Sequence, residues 1–289
     1  MTASMKTAES PIHRTFLPGT HIEIINPNIE RGSIRFALFD FDGTLSLIRE
    51  GWQGVMIPMM VEVLQELHTG ESEEELTSIV REFVTRLTGK QTIYQMIQLA
   101  EEVKKRSGDP KDPLEYKYQY LDLLWERIKD RVRGLESGQT NPLEFLVPGA
   151  TSILEELRDR GVTMYLASGT DRPYVLNESG VLGLHPFFRT RIYGALDNYK
   201  TFSKRMIIQQ ILTENNLSGP GLVTFGDGYV EIEDTKQVGG IAVGVATNEA
   251  ERKGIDEWKR NRLVGAGADI IIPDFREARR VIAYLFAED

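Results

Sequence analysis

The stretch Phe39-Asp40-Phe41-Asp42-Gly43-Thr44-Leu45 constrains this chain more than any other. It continues the apolar run Phe36-Ala37-Leu38-Phe39, the pattern of a strand buried on both faces of a parallel sheet. Parallel sheets carry their reactive edge at the carboxyl ends of the strands, and two carboxylates one residue apart fall there. Alternation no longer binds just past a strand, so Asp40 and Asp42 are both free to face one crevice. Gly43 permits the tight turn that comes next, and Thr44 sets a hydroxyl beside it. Taken alone, D-x-D-G-T is also an ordinary turn sequence; the rest of the chain decides between the two readings.

Residues 1 to about 33 read as an irregular N-terminal extension, punctuated by Pro11, Pro18, Gly19, Pro27 and Gly32. Its first ten or so residues form a loose tail, and His21-Ile22-Glu23-Ile24-Ile25 is a candidate short added strand. Over 51–132 the apolar residues recur at helical spacing. The stripes are Val55, Met59, Val63 and Leu67; Leu76, Ile79, Val80, Phe83 and Leu87; Ile93, Met96, Ile97, Ala100 and Val103. The cleanest is Leu114, Tyr118, Leu121, Trp125, Ile128 and Val132, and Pro58 marks a kink or a helix start. Four amphipathic helices with no strand between them predict a helical bundle over 49–147. From Pro148 strands and helices alternate, with strands predicted at 162–167, 222–225, 241–246 and 270–272 and a last helix over about 275–286. The fold class is therefore α/β, a doubly wound, Rossmann-like parallel sheet made from 34–48 and 148–289, with a helical insertion after its first strand.

Composition narrows the function. A formal net charge of −9 argues against a nucleic-acid binder, which would carry a basic face. It leaves room for a small anionic substrate, because a local cluster of cations outweighs the global sign. No apolar run approaches the ~20 residues of a membrane span, and residues 1–20 lack the apolar core of a signal peptide. The expected address is cytoplasmic, which the absence of cysteine fits. Without cysteine there is neither a disulfide nor a thiolate metal site. His13, His21, His68 and His185 show no paired metal-ligand spacing.

Two more predicted strands end in polar residues. One is Tyr165-Leu166-Ala167-Ser168-Gly169; the other is Phe225-Gly226-Asp227-Gly228, with Glu231 and Asp234 shortly after. Lys200 and Lys204 lie between them. In order and placement these stretches resemble the four motifs of the haloacid dehalogenase (HAD) superfamily, phosphatase type, most of whose members transfer phosphoryl groups through an aspartyl-phosphate. The resemblance covers most of 34–289 outside the insertion. The insertion itself resembles that family's α-helical cap, which closes over the active site and selects substrates. Glu231 stands where many relatives carry Asp.

The resemblance implies a Mg²⁺-dependent phosphatase acting on a small phosphorylated metabolite, such as a sugar phosphate or a phosphoglycolate-like acid. Asp40 would be the nucleophile, since phosphoryl transfer is mostly positioning and charge neutralisation. Asp42 would be the general acid and then the base, a role that needs a proton at the moment the leaving group departs. Asp40, Asp227 and the Asp42 carbonyl would hold Mg²⁺, with Glu231 reaching it through water or orienting Asp227, and Asp234 as the rival acid. Ser168, Gly169 and Thr44 would bind phosphoryl oxygens, and Lys204, with Lys200 as its competitor, would supply the clamping charge. Trp52, just after the first motif, and Lys90 and Gln91, in a turn between two insertion helices, are candidate substrate contacts; Arg49 and Glu50 are further ones. Two other readings stay open: a phosphomutase using the same Asp40, and a catalytically silent protein that kept the fold. A dehalogenase is disfavoured, because the resembling dehalogenases lack the second aspartate that Asp42 supplies.

Overall fold

The computed structural model describes residues 14–217 and 219–288. The expected N-terminal tail lies outside the described residues. Strand β1 (Glu23–Ile24) precedes β2 (Phe36–Phe39), and four helices come after it: α1 (Gln53–Gln65), α2 (Glu73–Leu87), α3 (Thr92–Lys105) and α4 (Pro113–Glu136). Next are α5 (Ala150–Asp159), β3 (Thr163–Asp171), α6 (Arg172–Val181), α7 (His185–Phe188) and β4 (Ile192–Ala195). The chain closes with α8 (Lys204–Glu214), β5 (Leu222–Gly226), α9 (Tyr229–Gln237), β6 (Ile241–Val245), α10 (Glu257–Gly265), β7 (Ile270–Ile272) and α11 (Ala278–Leu285).

The strands make one sheet in the order β1-β7-β6-β5-β2-β3-β4. Every pair is parallel except β1 on β7, which runs antiparallel with Glu23 opposite Ile271. The doubly wound α/β class expected from the sequence is the one adopted. Alternation assigns the residues of β2 to opposite layers. Ala37 and Phe39 join the core under α5 and α11, whereas Leu38 packs with Ile207, Ile208 and Ile211 of α8. Phe39 stacks on Phe225 at a centroid distance of 4.7 Å. Burying such a ring contributes about 1.5–3 kcal/mol, so the strand that carries the site is also a strongly held part of the core.

Register explains where the site lies. Phe39 sits opposite Phe225 on one side and Leu166 on the other. Residues just beyond these three, on central neighbouring strands, therefore emerge at one edge. Sequence patterning missed two features here. Strand β3 does not stop at Ser168 but runs through Asp171, and β4 was not anticipated. The two are linked, because the extension of β3 pairs with β4 across a register shift between Ala167 and Asp171.

On α2 and α3 the expected stripes are the buried faces, with Ile79 and Ile97 half-buried at their borders, whereas on α1 and α4 spacing identified the helices better than their faces. On α4 the buried residues include Tyr116, Tyr120, Leu124, Ile128, Val132 and Leu135, whereas Tyr118 and Trp125 are 47% and 37% exposed. The true face is rotated by roughly 60° from the expected stripe. A long helix with apolar residues around much of its girth offers more than one stripe, and a polar tip lets Tyr and Trp stay at the surface. On α1 Met59 of the expected stripe is buried, but the face also takes in Met56, Met60 and Leu64 and leaves Val55 and Val63, with Leu67 just past the helix, half-buried; Pro58 lies inside the helix. Among the described residues no helix is long and apolar enough to cross a membrane.

The α2 approach is tied to α3 by Arg106, whose guanidinium donates to both Glu71 oxygens at 2.6 and 2.7 Å. Hydrogen bonds from Arg106, then from Thr69, hold the Glu71 carboxyl down at about 2, against an ordinary 4.5. A depressed folded value adds stability above pH 4.5 that is lost as pH falls toward about 2. Glu71→Gln should therefore melt slightly below the parent protein near neutrality, and the two should converge only at about pH 2. Thermal melts at both pH values check this; an equal gap at both would contradict it.

Candidate active site

Asp40 leaves β2 with its N–H on the Phe225 carbonyl at 2.9 Å, so the first residue past the strand is still anchored to β5. Its side chain is 6% exposed. Oδ1 accepts from the Phe41 N–H at 2.8 Å and lies 2.8 Å from the Lys204 ammonium. Ser203 caps α8 through the Met206 N–H, which fixes Lys204 as the first helical residue. A cation is unfavourable at a helix N-terminus, and Lys204 offsets this by binding Asp40 and, at 3.0 Å, Glu231. Glu231 in turn accepts from the Gly228 N–H at 2.8 Å.

Asp227 emerges from β5 beside them. Oxygens of Asp40, Asp227 and Glu231 all lie within 4.8 Å of one another. Behind Asp227 stands Lys259 of α10, 2.7 Å from its Oδ2 and also bound to Glu249. Gly43, at φ +74°, turns the chain next to these groups; a Cβ there would collide with the Asp227 carboxylate. Asp42 points to β3 instead. Its Oδ2 accepts from Ser168 Oγ at 3.1 Å and Thr170 Oγ1 at 2.8 Å, while its Oδ1 is buried with no hydrogen bond. Arg49 lies 3.8 Å from that oxygen and is itself held by Glu178 at 2.6 Å.

The electrostatics result from this crowding. Burial raises the Asp40 pKa, Lys204 opposes the rise, and Glu231 and Asp227 add to it; the balance stands well above the ordinary 3.8. Burial likewise lifts Glu249, against Lys259. Burial alone would lower both lysines, but their paired carboxylates outweigh it and keep them firmly charged. Asp40, Asp227, Glu231 and Glu249 thus share two ammonium groups, and Asp42 and Glu178 share the Arg49 guanidinium. An all-oxygen cluster with surplus negative charge fits a hard divalent cation, which is held by one or two carboxylates.

These groups open into a cavity of about 100 Å³ lined by Asp40, Asp42, Ser168, Gly169, Lys204 and Asp227. Trp52, at the start of α1, and Lys90, in the turn between α2 and α3, also line it, together with Arg49, Glu50, Gln95 and Tyr120. Two expected contacts do not reach the cavity wall, and one open choice is narrowed. Thr44 is fully buried and absent from the cavity wall, since the turn at Gly43 directs its hydroxyl inward. Gln91 is also absent from the wall, because its amide donates to the carbonyls of Tyr199 and Phe202 at 3.2 and 2.7 Å. Lys200 sits over the Tyr199 ring, so of the two competing lysines it is Lys204 that reaches Asp40. Asp234, one turn after Glu231, is not part of the converging carboxylate cluster.

Lys259, Glu249, Thr170 and Glu178 are not evident from the sequence. Thr170 left a signal, because Ser168 and Thr170 share one face of a strand with period two. Lys259 and Glu249 left none, since a lysine in a polar helix is ordinarily a solvated residue.

A sequence profile of haloacid dehalogenase-like hydrolases matches residues 34–239. No curated protein sequence matches the chain. Among solved structures, a conserved haloacid dehalogenase-like protein of unknown function from Agrobacterium tumefaciens superposes with a TM-score of 0.55 at 18% identity, covering 87% of this chain and 98% of its own. A predicted phosphoglycolate phosphatase from Haemophilus somnus gives 0.56 at 14% identity, with 86% and 98% covered. A β-phosphoglucomutase from Clostridium difficile gives 0.56 at 12%, with 88% and 98% covered. At these identities the likeness is one of fold.

Proposed function

This chain belongs to the haloacid dehalogenase-like hydrolase family, and on that premise we propose that it is a Mg²⁺-dependent phosphatase that hydrolyses a small phosphomonoester through an aspartyl-phosphate on Asp40. The observation that carries the reading is the Asp40–Lys204–Glu231 ion cluster beside Asp227, of which Asp40, Lys204 and Asp227 line one cavity at the sheet edge. The side chains of Asp40 and Asp227, the Asp42 carbonyl and, through water or at the back of Asp227, Glu231 would hold the ion. When bound, Mg²⁺ neutralises the charge that otherwise keeps a carboxylate from a phosphoryl dianion.

The residues divide the remaining work. Phe41 N–H and Lys204 both bind Oδ1 of Asp40, leaving Oδ2 as the attacking oxygen. Oδ2 bonds to phosphorus as the ester P–O bond breaks, and Asp42 gives its proton to the departing alkoxide. Asp42 then takes a proton from water, which attacks phosphorus and frees Asp40 with release of phosphate. The Gly169 N–H and Lys204 receive phosphoryl oxygens, and Ser168 joins them by a rotation about χ1 away from Asp42.

The cavity favours a small leaving group. Lys90 lines it, with its ammonium on the exposed side, 5.7 Å from the centre of the Tyr94 ring; a substrate with polar or anionic character beyond the phosphoryl group would suit a charge at that border. A phosphorylated metabolite of the cytoplasm fits the cysteine-free composition. Assaying a phosphometabolite panel with Mg²⁺, for free phosphate and for isomer formation together, tests the reading. Phosphate release that chelation abolishes is the expected result; isomer formation without phosphate release would replace it with a mutase, and no turnover of any ester would overturn it.

A further inference from the structure

We propose that Arg262 is a positioning residue that latches the turn at residues 88–91 over the pocket, and so sets how tightly the closed site holds its ligand. Arg262 belongs to α10, on the sheet scaffold, yet its guanidinium donates to the carbonyls of Thr85, Arg86 and Thr88 at the end of α2, 174 to 177 positions away. The last carbonyls of a helix lack partners within it, and a cation there is favoured by the helix dipole. One side chain of the scaffold thus adds to the local cap of α2, where the Thr88 N–H and hydroxyl donate to the Thr85 and Val84 carbonyls. The guanidinium also lies over the rings of Tyr229, at 4.6 Å, and Trp258, at 5.2 Å.

The residues after Thr88 connect this contact to the site. Gly89 and Lys90 line the cavity. Gly89, at φ +95°, abuts Gly228, the residue after Asp227; a Cβ would come within 3.2 Å of the Gly228 Cα. The Lys90 carbonyl lies against Gly169. Beyond it, Gln91 holds the far end of the turn on the carbonyls of Tyr199 and Phe202. The turn is therefore pinned at both ends, by buried bonds at Gln91 and by Arg262 at a more exposed border. Bonds at an exposed border are replaced by water at small net cost. Arg262 is thus the end that releases, and Gln91 the end about which the turn moves. Because Tyr229 is two residues beyond Asp227, the latch bears on the lid and the carboxylate loop together.

The test uses the full chain carrying Arg262→Met, which keeps an apolar stem, and Arg262→Lys, which keeps the charge but not the three-way fork. Hydrogen exchange at residues 85–91 should speed by about tenfold in Arg262→Met, with β2 and β5 unchanged. The dissociation constant for orthovanadate in the presence of Mg²⁺, and the KM for p-nitrophenyl phosphate, should rise by about tenfold while kcat stays within about threefold. Arg262→Lys should recover part of each effect, and it decides the matter if Arg262→Met does not fold. Parental exchange and parental vanadate affinity in both variants would overturn the proposal. So would exchange that accelerates across the whole sheet, which marks a merely structural role. The kinetic arm rests on the phosphatase reading, whereas the exchange arm does not. If the parent hydrolyses nothing but exchange quickens only at 85–91, the latch stands and the reaction falls.

Discussion

Asp40→Asn is expected to lower kcat for phosphoester hydrolysis by about 10⁴-fold or more while leaving the fold in place. An amide keeps an oxygen for the Phe41 N–H and for Lys204, so both contacts at Oδ1 survive. The second carboxylate oxygen and its charge are lost, and an amide is a poor nucleophile toward phosphorus. The fold should be unharmed for a further reason: Lys204 keeps Glu231 as a charged partner at 3.0 Å, and burial disfavours the charged form of Asp40. Steady-state kinetics and a thermal melt together test this. A variant that turns over at the parental rate would show that the nucleophile lies elsewhere.

Lys204→Met should damage stability and activity alike. Lys204 is 5% exposed and serves two carboxylates, Asp40 and the 1%-exposed Glu231. Removing one partner of a buried ion pair typically costs about 3–5 kcal/mol, because a charge is left uncompensated. For a chain of this size that corresponds to a Tm lowered by about 10 °C. Loss of a preorganised positive charge facing the phosphoryl group should lower kcat by about 10²–10³-fold as well. Lys200→Met is the matched control: Lys200 lies on the Tyr199 ring, away from Asp40, and its removal should alter neither quantity. Equal effects of the two substitutions would refute the assignment of the clamping charge to Lys204.

The part of this site legible in the sequence is the part that local pattern determines. Asp40 and Asp227 each come after an apolar run too short for a helix and too continuous for a half-exposed strand, and a parallel sheet then delivers both to one edge. The illegible part depends on where side chains turn and on contacts made across the fold. Thr44 and Gln91 occupy the right segments, but one hydroxyl is swallowed by the turn and one amide is spent on main-chain carbonyls. Lys259 reaches Asp227 from a polar helix 32 residues away, a contact that no periodicity encodes. On α4, the choice between two overlapping apolar stripes was made by neighbouring helices rather than by spacing.

If Asp40 carries the phosphoryl group during turnover, the acyl phosphate can be caught on it. The decisive measurement is acid-quenching of the protein in mid-turnover, with Mg²⁺ and a hydrolysed ester, and peptide mass spectrometry of the product. One phosphoryl group is expected on the peptide containing Asp40, and none in Asp40→Asn. A phosphoryl group on any other residue, or rapid phosphate release by the Asp40→Asn protein, would contradict the assignment.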